Sequence, residues 1–189
     1  MIRKARPADV KMVVPLLILA MGELASKFSN TSDAIATSAL FAHFFQEEDN
    51  QYSYSNFLVY EESGQVYGAL NAYDGGKLTI LRQKFLEYLS VHNGLNDFKP
   101  EPETQAGEFY FDTLAVNQEM QGKGIGKKLI DAGIEWAQEL GIDTVGLLVE
   151  VNNEKALKLY IDKGFKIANQ ASFIGGSYHH MVFKISKEG

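Results

Sequence analysis

The stretch that most limits what this chain can fold into is residues 116–128, VNQEMQGKGIGKK, with glycine at 122, 124 and 126. Glycine loses more backbone entropy on folding than any other residue. Such density is kept only where the chain bends sharply or comes close to something. Before it lies EFYFDTLAV (108–116), whose large residues on both faces predict a strand inside a covered sheet. After it, residues 123–140 predict an amphipathic helix. Ile125, Leu129, Ala132, Trp136 and Leu140 face in, Lys128, Asp131, Glu135 and Glu139 face out, and Gly141 closes it. TVGLLVEV (144–151) predicts a second buried strand. Strand, helix, strand in this order implies a right-handed crossover with parallel pairing.

A strand feeding a glycine-rich turn at a helix N-terminus is an anion site. The first N–H groups of the helix lack internal acceptors, they converge, and the helix dipole adds positive potential. Lys123, Lys127 and Lys128 add charge nearby. The predicted ligand is a phosphate or pyrophosphate. A phosphate loop of the type G-x-x-x-x-G-K-[ST] does not fit, because Gly122 to Gly126 is one residue short and Lys128 stands where Ser or Thr would hold magnesium. A dinucleotide fingerprint does not fit either, since the glycines run G-x-G-x-G late in the chain.

The remaining chain reads as alternating elements. Residues 2–6 predict a strand and 8–24 a helix bent near Pro15. A second helix is expected over 32–47, capped by Thr31 or Ser32, with Leu40, Phe41, Phe44 and Phe45 on its apolar side. FLVYEE (57–62) and QVYGALNAYD (65–74) predict a hairpin across Ser63-Gly64. Residues 78–92 carry a helical stripe of Leu78, Leu81, Phe85 and Leu89, followed by a polar loop over 93–107. Helix 153–163 ends at Gly164, and FKIANQ and YHHMVFKI supply two closing strands. The pattern predicts one mixed α/β domain over 1–189, with a twisted, largely antiparallel sheet of about six or seven strands and helices on both faces.

Composition narrows the function. The net charge of −6 and pI of about 5.2 argue against a non-specific nucleic-acid binder, which carries a basic face. There is no cysteine, which removes disulfides, thiolate zinc sites and cysteine nucleophiles and fits a cytoplasmic protein. Arg3, Lys4 and Arg6 before MVVPLLILAM (12–21) imitate a secretory leader, but Asp9 and Lys11 intervene and Pro7 suits a helix start. No apolar run reaches the roughly 20 residues a membrane span needs. His179 and His180 fall on opposite faces of the last strand with no further ligands to make a metal set.

One spacing does fit the turn: Gln121-x-x-Gly124-x-Gly126. It resembles the acetyl-CoA-binding turn of the GNAT N-acetyltransferase superfamily, Q/R-x-x-G-x-G/A. VNNEKALKLYIDKGF (151–165) resembles the second signature of that family at Asn153, Ala156, Leu159, Tyr160, Gly164 and Phe165. YFDTLAV and the opening IRKARPADV are similar to its fourth strand and its first strand and helix.

The resemblance implies an enzyme that transfers an acetyl group from acetyl-CoA to a primary amine in a ternary complex, as a monomer or homodimer. It places acetyl-CoA between strands 108–116 and 144–151. Backbone of the segment Leu114, Ala115 and Val116 would pair with the pantetheine arm. The N–H groups of Gln121, Gly122, Lys123, Gly124, Ile125, Gly126 and Lys127 would hold the pyrophosphate, and Asn153 would contact the pantetheine or fix the start of its helix. Tyr160 would serve as the thiolate's proton donor. Glu108, Tyr110, Asp112, Leu114 and Val116 share one strand face by the two-residue period, so Asp112 or Glu108 is the candidate base. A water chain without a base is the other possibility. The acceptor, a small-molecule or protein amine, is not named by any residue. A non-catalytic acyl-CoA-binding sensor is the alternative function.

The sequence departs from the family in one place. About thirty residues (75–107), with a predicted helix, stand where the family has a short turn between its third and fourth strands. A connection of that length is expected to shape the acceptor pocket or an oligomer contact.

Overall fold

Ser63 and Gly64 both take positive φ, 52° and 79°. That is the backbone of a two-residue hairpin turn, and it closes β2 (Phe57–Glu62) on β3 (Gln65–Asp74). The computed structural model describes residues 1–186, and among them seven strands form one sheet. The others are β1 (Ile2–Lys4), β4 (Phe109–Val116), β5 (Thr144–Glu150), β6 (Lys166–Phe173) and β7 (Gly176–Lys184), in the order β1-β2-β3-β4-β5-β7-β6. Every neighbouring pair is antiparallel except β4 and β5, which run parallel as the crossover argument requires.

Helices cover both faces. On one side α5 (Ile125–Glu139) and α6 (Glu154–Asp162) pack over Leu70, Phe109, Phe111, Leu147 and Met181. On the other, α1 (Val10–Met21), α2 (Glu23–Ser29), α3 (Ala34–Gln46) and α4 (Leu78–Asn93) enclose Phe28, Phe41, Phe44, Phe45, Tyr52 and Phe85. Arg3 at the sheet edge is clamped by Asp9 at 2.7 Å and Glu61 at 2.5 Å, which ties β1 to the entry of α1 and to β2. Among the described residues no helix is long and apolar enough to cross a membrane.

Several expectations are corrected. The helix expected over 8–24 is two helices. α1 continues through Pro15, and the chain breaks at Gly22 with φ 55° and ψ −127°. That conformation is open to glycine and strained for other residues. The cap of α3 is Asp33, whose carboxylate accepts from the Ile35 N–H at 2.9 Å, while Thr31 instead accepts from the Asp33 N–H. In α5 the buried residues are Ile125, Leu129, Ile130, Gly133 and Ala137, and Leu140 is exposed. The stripe shifts because Gly133 lets the helix sit against β3 and β4. A Cβ there would lie 2.5 Å from Phe111 Cζ and 2.6 Å from Leu70 Cδ2.

Candidate active site

β4 and β5 pair only at Phe109–Val145, Tyr110–Gly146 and Phe111–Leu147. Beyond Phe111 they part. β4 stays paired to β3, but the register shifts between Asn71, opposite Thr113, and Ala72, opposite Phe111. Asp112 is therefore an extra residue, a β-bulge that re-aims the strand. This corrects the single face expected for 108–116. Tyr110 packs with Tyr73 and Leu78, whereas Leu114 and Val116 join Phe109 and Phe111 in the cluster under α5 and α6. Ala115 points the other way, into the core beneath α1.

The bulge also decides where the backbone of β4 is free. The Asn117 N–H donates to Tyr67 O at 2.8 Å. Antiparallel ladders alternate, so Ala115 faces β3 while the N–H and C=O of Leu114 and Val116 point into the gap toward β5. The carbonyl of Val116 accepts from Gln121 Nε2 at 3.1 Å, and Gln121 Oε1 accepts from Lys155 Nζ at 2.7 Å. Gln121 thus links the turn, β4 and α6 through both ends of its amide.

Gly122 and Gly124 hold φ of 79° and 78°, and Gly124 caps α5 with no side-chain partner. The first helical bond there runs from the Lys128 N–H to Gly124 O at 3.1 Å. The N–H groups of Ile125, Gly126 and Lys127 have no acceptor within the helix. Gln121 departs from the expected set of donors, because its own N–H is directed to Gln118 O at 3.3 Å. Gly122, Lys123 and Gly124 are exposed. Lys127 is exposed beside them, whereas Lys128 leans toward the Tyr60 ring, 5.7 Å from its centre.

A cavity of about 700 Å³ opens where the strands part. Thr113, Leu114, Val149, Asn153 and Tyr160 line one part of it, and Tyr52, Glu103, Tyr110, Asp112 and the break at Gly22 line another. Asn153 caps α6, its Oδ1 accepting from the Ala156 N–H at 3.1 Å. Tyr160 packs edge-on against Phe165 at 5.7 Å. Burial pushes its phenol up to about 12, so it is a neutral donor at pH 7.

Asp112 and Glu108 part company here. Asp112 lines the cavity, where Oδ2 accepts from the Tyr73 hydroxyl at 2.7 Å and from Gln51 Nε2 at 3.4 Å. Burial pushes its carboxyl up, partly offset by those hydrogen bonds. Glu108 does not line the cavity. It accepts from Gln105 at 3.1 Å and Thr104 at 3.3 Å and pairs with His180 Nε2 at 3.1 Å, over Gly146, where a Cβ would meet it at 2.5 Å. Burial raises the Glu108 carboxyl, but the hydrogen bonds from His180 and Gln105 outweigh it and hold the group below its ordinary value.

Sequence reasoning did not single out Glu103, which is buried, lines the cavity and forms an ion pair with buried Arg82. Arg82 also donates to Gln51 Oε1 at 3.0 Å. Both Arg82 and Glu103 come from the 75–107 connection. Arg82 stands on the buried stripe of α4 with Leu78, Phe85 and Leu89, where Leu81 was expected, and its place four residues after Leu78 and three before Phe85 was the available signal: a charge on a buried helical face needs a partner.

A family model described as the acetyltransferase (GNAT) family matches residues 23–165. A solved acetyltransferase is 30% identical with a TM-score of 0.82, covering 98% of this chain and 100% of that one. An N-acetyltransferase from Staphylococcus aureus Mu50 is 23% identical with a TM-score of 0.78, covering 97% of this chain and 100% of that one, a likeness of fold. Mycothiol acetyltransferase from Propionibacterium freudenreichii subsp. shermanii is 40% identical over 63 residues, 33% of this chain and 20% of that protein. The match thus spans about a fifth of the length of that curated relative.

Proposed function

The chain belongs to the acetyltransferase (GNAT) family, and on that premise we propose that it transfers the acetyl group of acetyl-CoA to a primary amine held in the cavity beside Asp112. The observation that carries the reading is the continuity of three features. Uncapped N–H groups at Ile125 to Lys127, outward-facing β4 backbone at Leu114 and at the Val116 N–H, and the cavity lined by Asp112, Leu114 and Tyr160 follow one another along β4 and the turn after it. The first suits a pyrophosphate, the second an amide-bearing arm paired like an added strand, and the third a reacting centre. Gly122, Lys123 and Gly124 line the approach to the first. Asn153 holds the start of α6, which carries Tyr160.

Bound acetyl-CoA supplies a thioester whose carbonyl carbon gains the C–N bond as its C–S bond breaks. The acceptor arrives as an ammonium, and Asp112 takes one proton so that the nitrogen lone pair is free. The Asp112 carboxyl is raised by burial toward working pH, which suits a base. Tyr160 gives its hydroxyl proton to the sulfur as the thiolate leaves and regains one from the new amide nitrogen through solvent. Asp112 then loses its proton to water, leaving amide, thiol and one released proton. Glu108 serves as a structural carboxylate that holds the 104–108 segment to β7 through His180. A single sheet running through the described residues supports reading them as one domain. The match to mycothiol acetyltransferase covers a third of this chain and names no acceptor for it.

A thiol-release assay with acetyl-CoA and a panel of amines tests the reading. The wild type should release thiol with at least one amine and yield an acetylated product by mass. Tyr160→Phe should lower kcat by about 100-fold, within the usual range for general acid–base groups, with acetyl-CoA affinity little changed. Full turnover by Tyr160→Phe would remove the donor role.

A further inference from the structure

Glu103 stands in an unusual position for a carboxylate. It is 7% exposed, it lines the cavity, and only one of its oxygens is used. Oε1 accepts from Arg82 Nη2, while Oε2 is buried with no hydrogen-bond partner. An ionised oxygen left bare in the interior is costly. A binding site can hold such a group, because the ligand supplies the missing donor.

The surroundings define that ligand. Glu23, Glu103, Asp112 and Glu150 line the cavity against a single cation, exposed Lys27. Arg82 does not line it; its guanidinium is spent on Glu103, Gln51 and the Glu101 carbonyl and lies 5.9 Å from the centre of the Phe173 ring, behind the cavity wall. The inner walls are the rings of Tyr52, Tyr110, Phe173 and Tyr178, all buried. Aromatic faces and carboxylates attract an ammonium, and aromatic walls also take an apolar body. An acid group on the same molecule would meet exposed Glu23 and Glu150 at the mouth and Glu103 and Asp112 within, with buried Arg82 already paired to Glu103.

We propose that Glu103, carried in by the 75–107 connection, is the acceptor-recognition residue, and that the acceptor is a primary amine bearing no carboxylate. This deepens the acetyl-transfer reading and rests on it. Oε2 accepts a hydrogen bond from a cationic nitrogen of the acceptor. Arg82 positions the carboxylate from behind without touching the acceptor. Burial, opposed by Arg82, pushes the Glu103 carboxyl up to about 7, so an arriving cation also helps keep it ionised.

The test pairs amines with the amino acids they correspond to: tyramine with tyrosine, and 2-phenylethylamine with phenylalanine. Thiol release is measured on the wild-type protein, with acetyl-CoA binding measured separately by calorimetry. The expected result is a kcat/KM at least tenfold higher for each amine than for its amino acid. Glu103→Gln should raise the KM for tyramine at least tenfold while leaving the acetyl-CoA Kd within twofold. Amino acids used as well as their amines would overturn the proposal, and so would an unchanged KM in Glu103→Gln. Tight acetyl-CoA binding with no turnover of either amine would overturn it too. The wild-type comparison needs no variant, so it stands even where Glu103→Gln folds poorly. Failure of the wild type to bind acetyl-CoA would instead remove the acetyl-transfer reading on which the proposal rests.

Discussion

The Tyr73 hydroxyl donates to Asp112 Oδ2 at 2.7 Å, from β3 to the bulged residue of β4. The bond exists because the bulge turns Asp112 toward Tyr73 and Gln51. Burial raises the Asp112 carboxyl and the Tyr73 hydroxyl pulls it part of the way down. Tyr73→Phe removes the second effect, so the carboxyl rises further. A base must be ionised to act, so the acid limb of kcat/KM against pH moves to higher pH. A hydrogen bond to a charged group is worth about 1.5–3 kcal/mol, which sets the shift at about one pH unit or more. An acid limb that stays put or moves down would separate Asp112 from the chemistry.

Gly133 carries the packing of α5 on the sheet. A methyl group there would overlap the Phe111 and Leu70 side chains. Gly133→Ala gains helix propensity of up to about 1 kcal/mol, but overpacking costs about 1–3 kcal/mol. The net expectation is a Tm lower by a few degrees, measured by calorimetry. A higher Tm would mean that α5 retreats from the sheet at little cost.

The fold was largely legible in the residues because local rules agreed with one another. The Ser63-Gly64 turn, the alternation of the strands and the crossover through α5 all point to the same sheet. What was missed depends on relations that periodicity does not carry. The two-residue period put Asp112 and Leu114 on one face, and a single extra residue in β4 separates them. The helical period ran across Gly22, because glycine is tolerated in helices until its φ is known. Glu103 sits in a loop without pattern, and its burial follows from Arg82, 21 positions away. The N–H groups left without helical acceptors at the Gly124 turn were legible because helix-end chemistry is local, and Gln121 shows the limit, its N–H being taken up by Gln118.

Glu108 should mark the acid side of stability. Its folded carboxyl lies below the ordinary value of 4.5. The stability it contributes is complete above 4.5 and is lost as pH falls through the lower folded value. Glu108→Gln removes that linkage, so Tm should fall less steeply between about pH 5 and pH 3 than in the wild type. The acid limb of kcat/KM should stay where it is in this variant. A displaced limb would return Glu108 to the reaction.

The turn at 121–127 and the parting of β4 from β5 are proposed to hold acetyl-CoA. Calorimetric titration of acetyl-CoA tests this most directly, on the wild type, Gly124→Val and Gly141→Ala. Gly124 and Gly141 both have positive φ, 78° and 72°, with open space where a Cβ would go, so both variants strain a helix end. Gly141 lies at the far end of α5 from the turn. Tight binding is expected of the wild type and of Gly141→Ala, and at least a tenfold loss of affinity in Gly124→Val. Equal affinity in all three proteins, or no binding by the wild type, would contradict it.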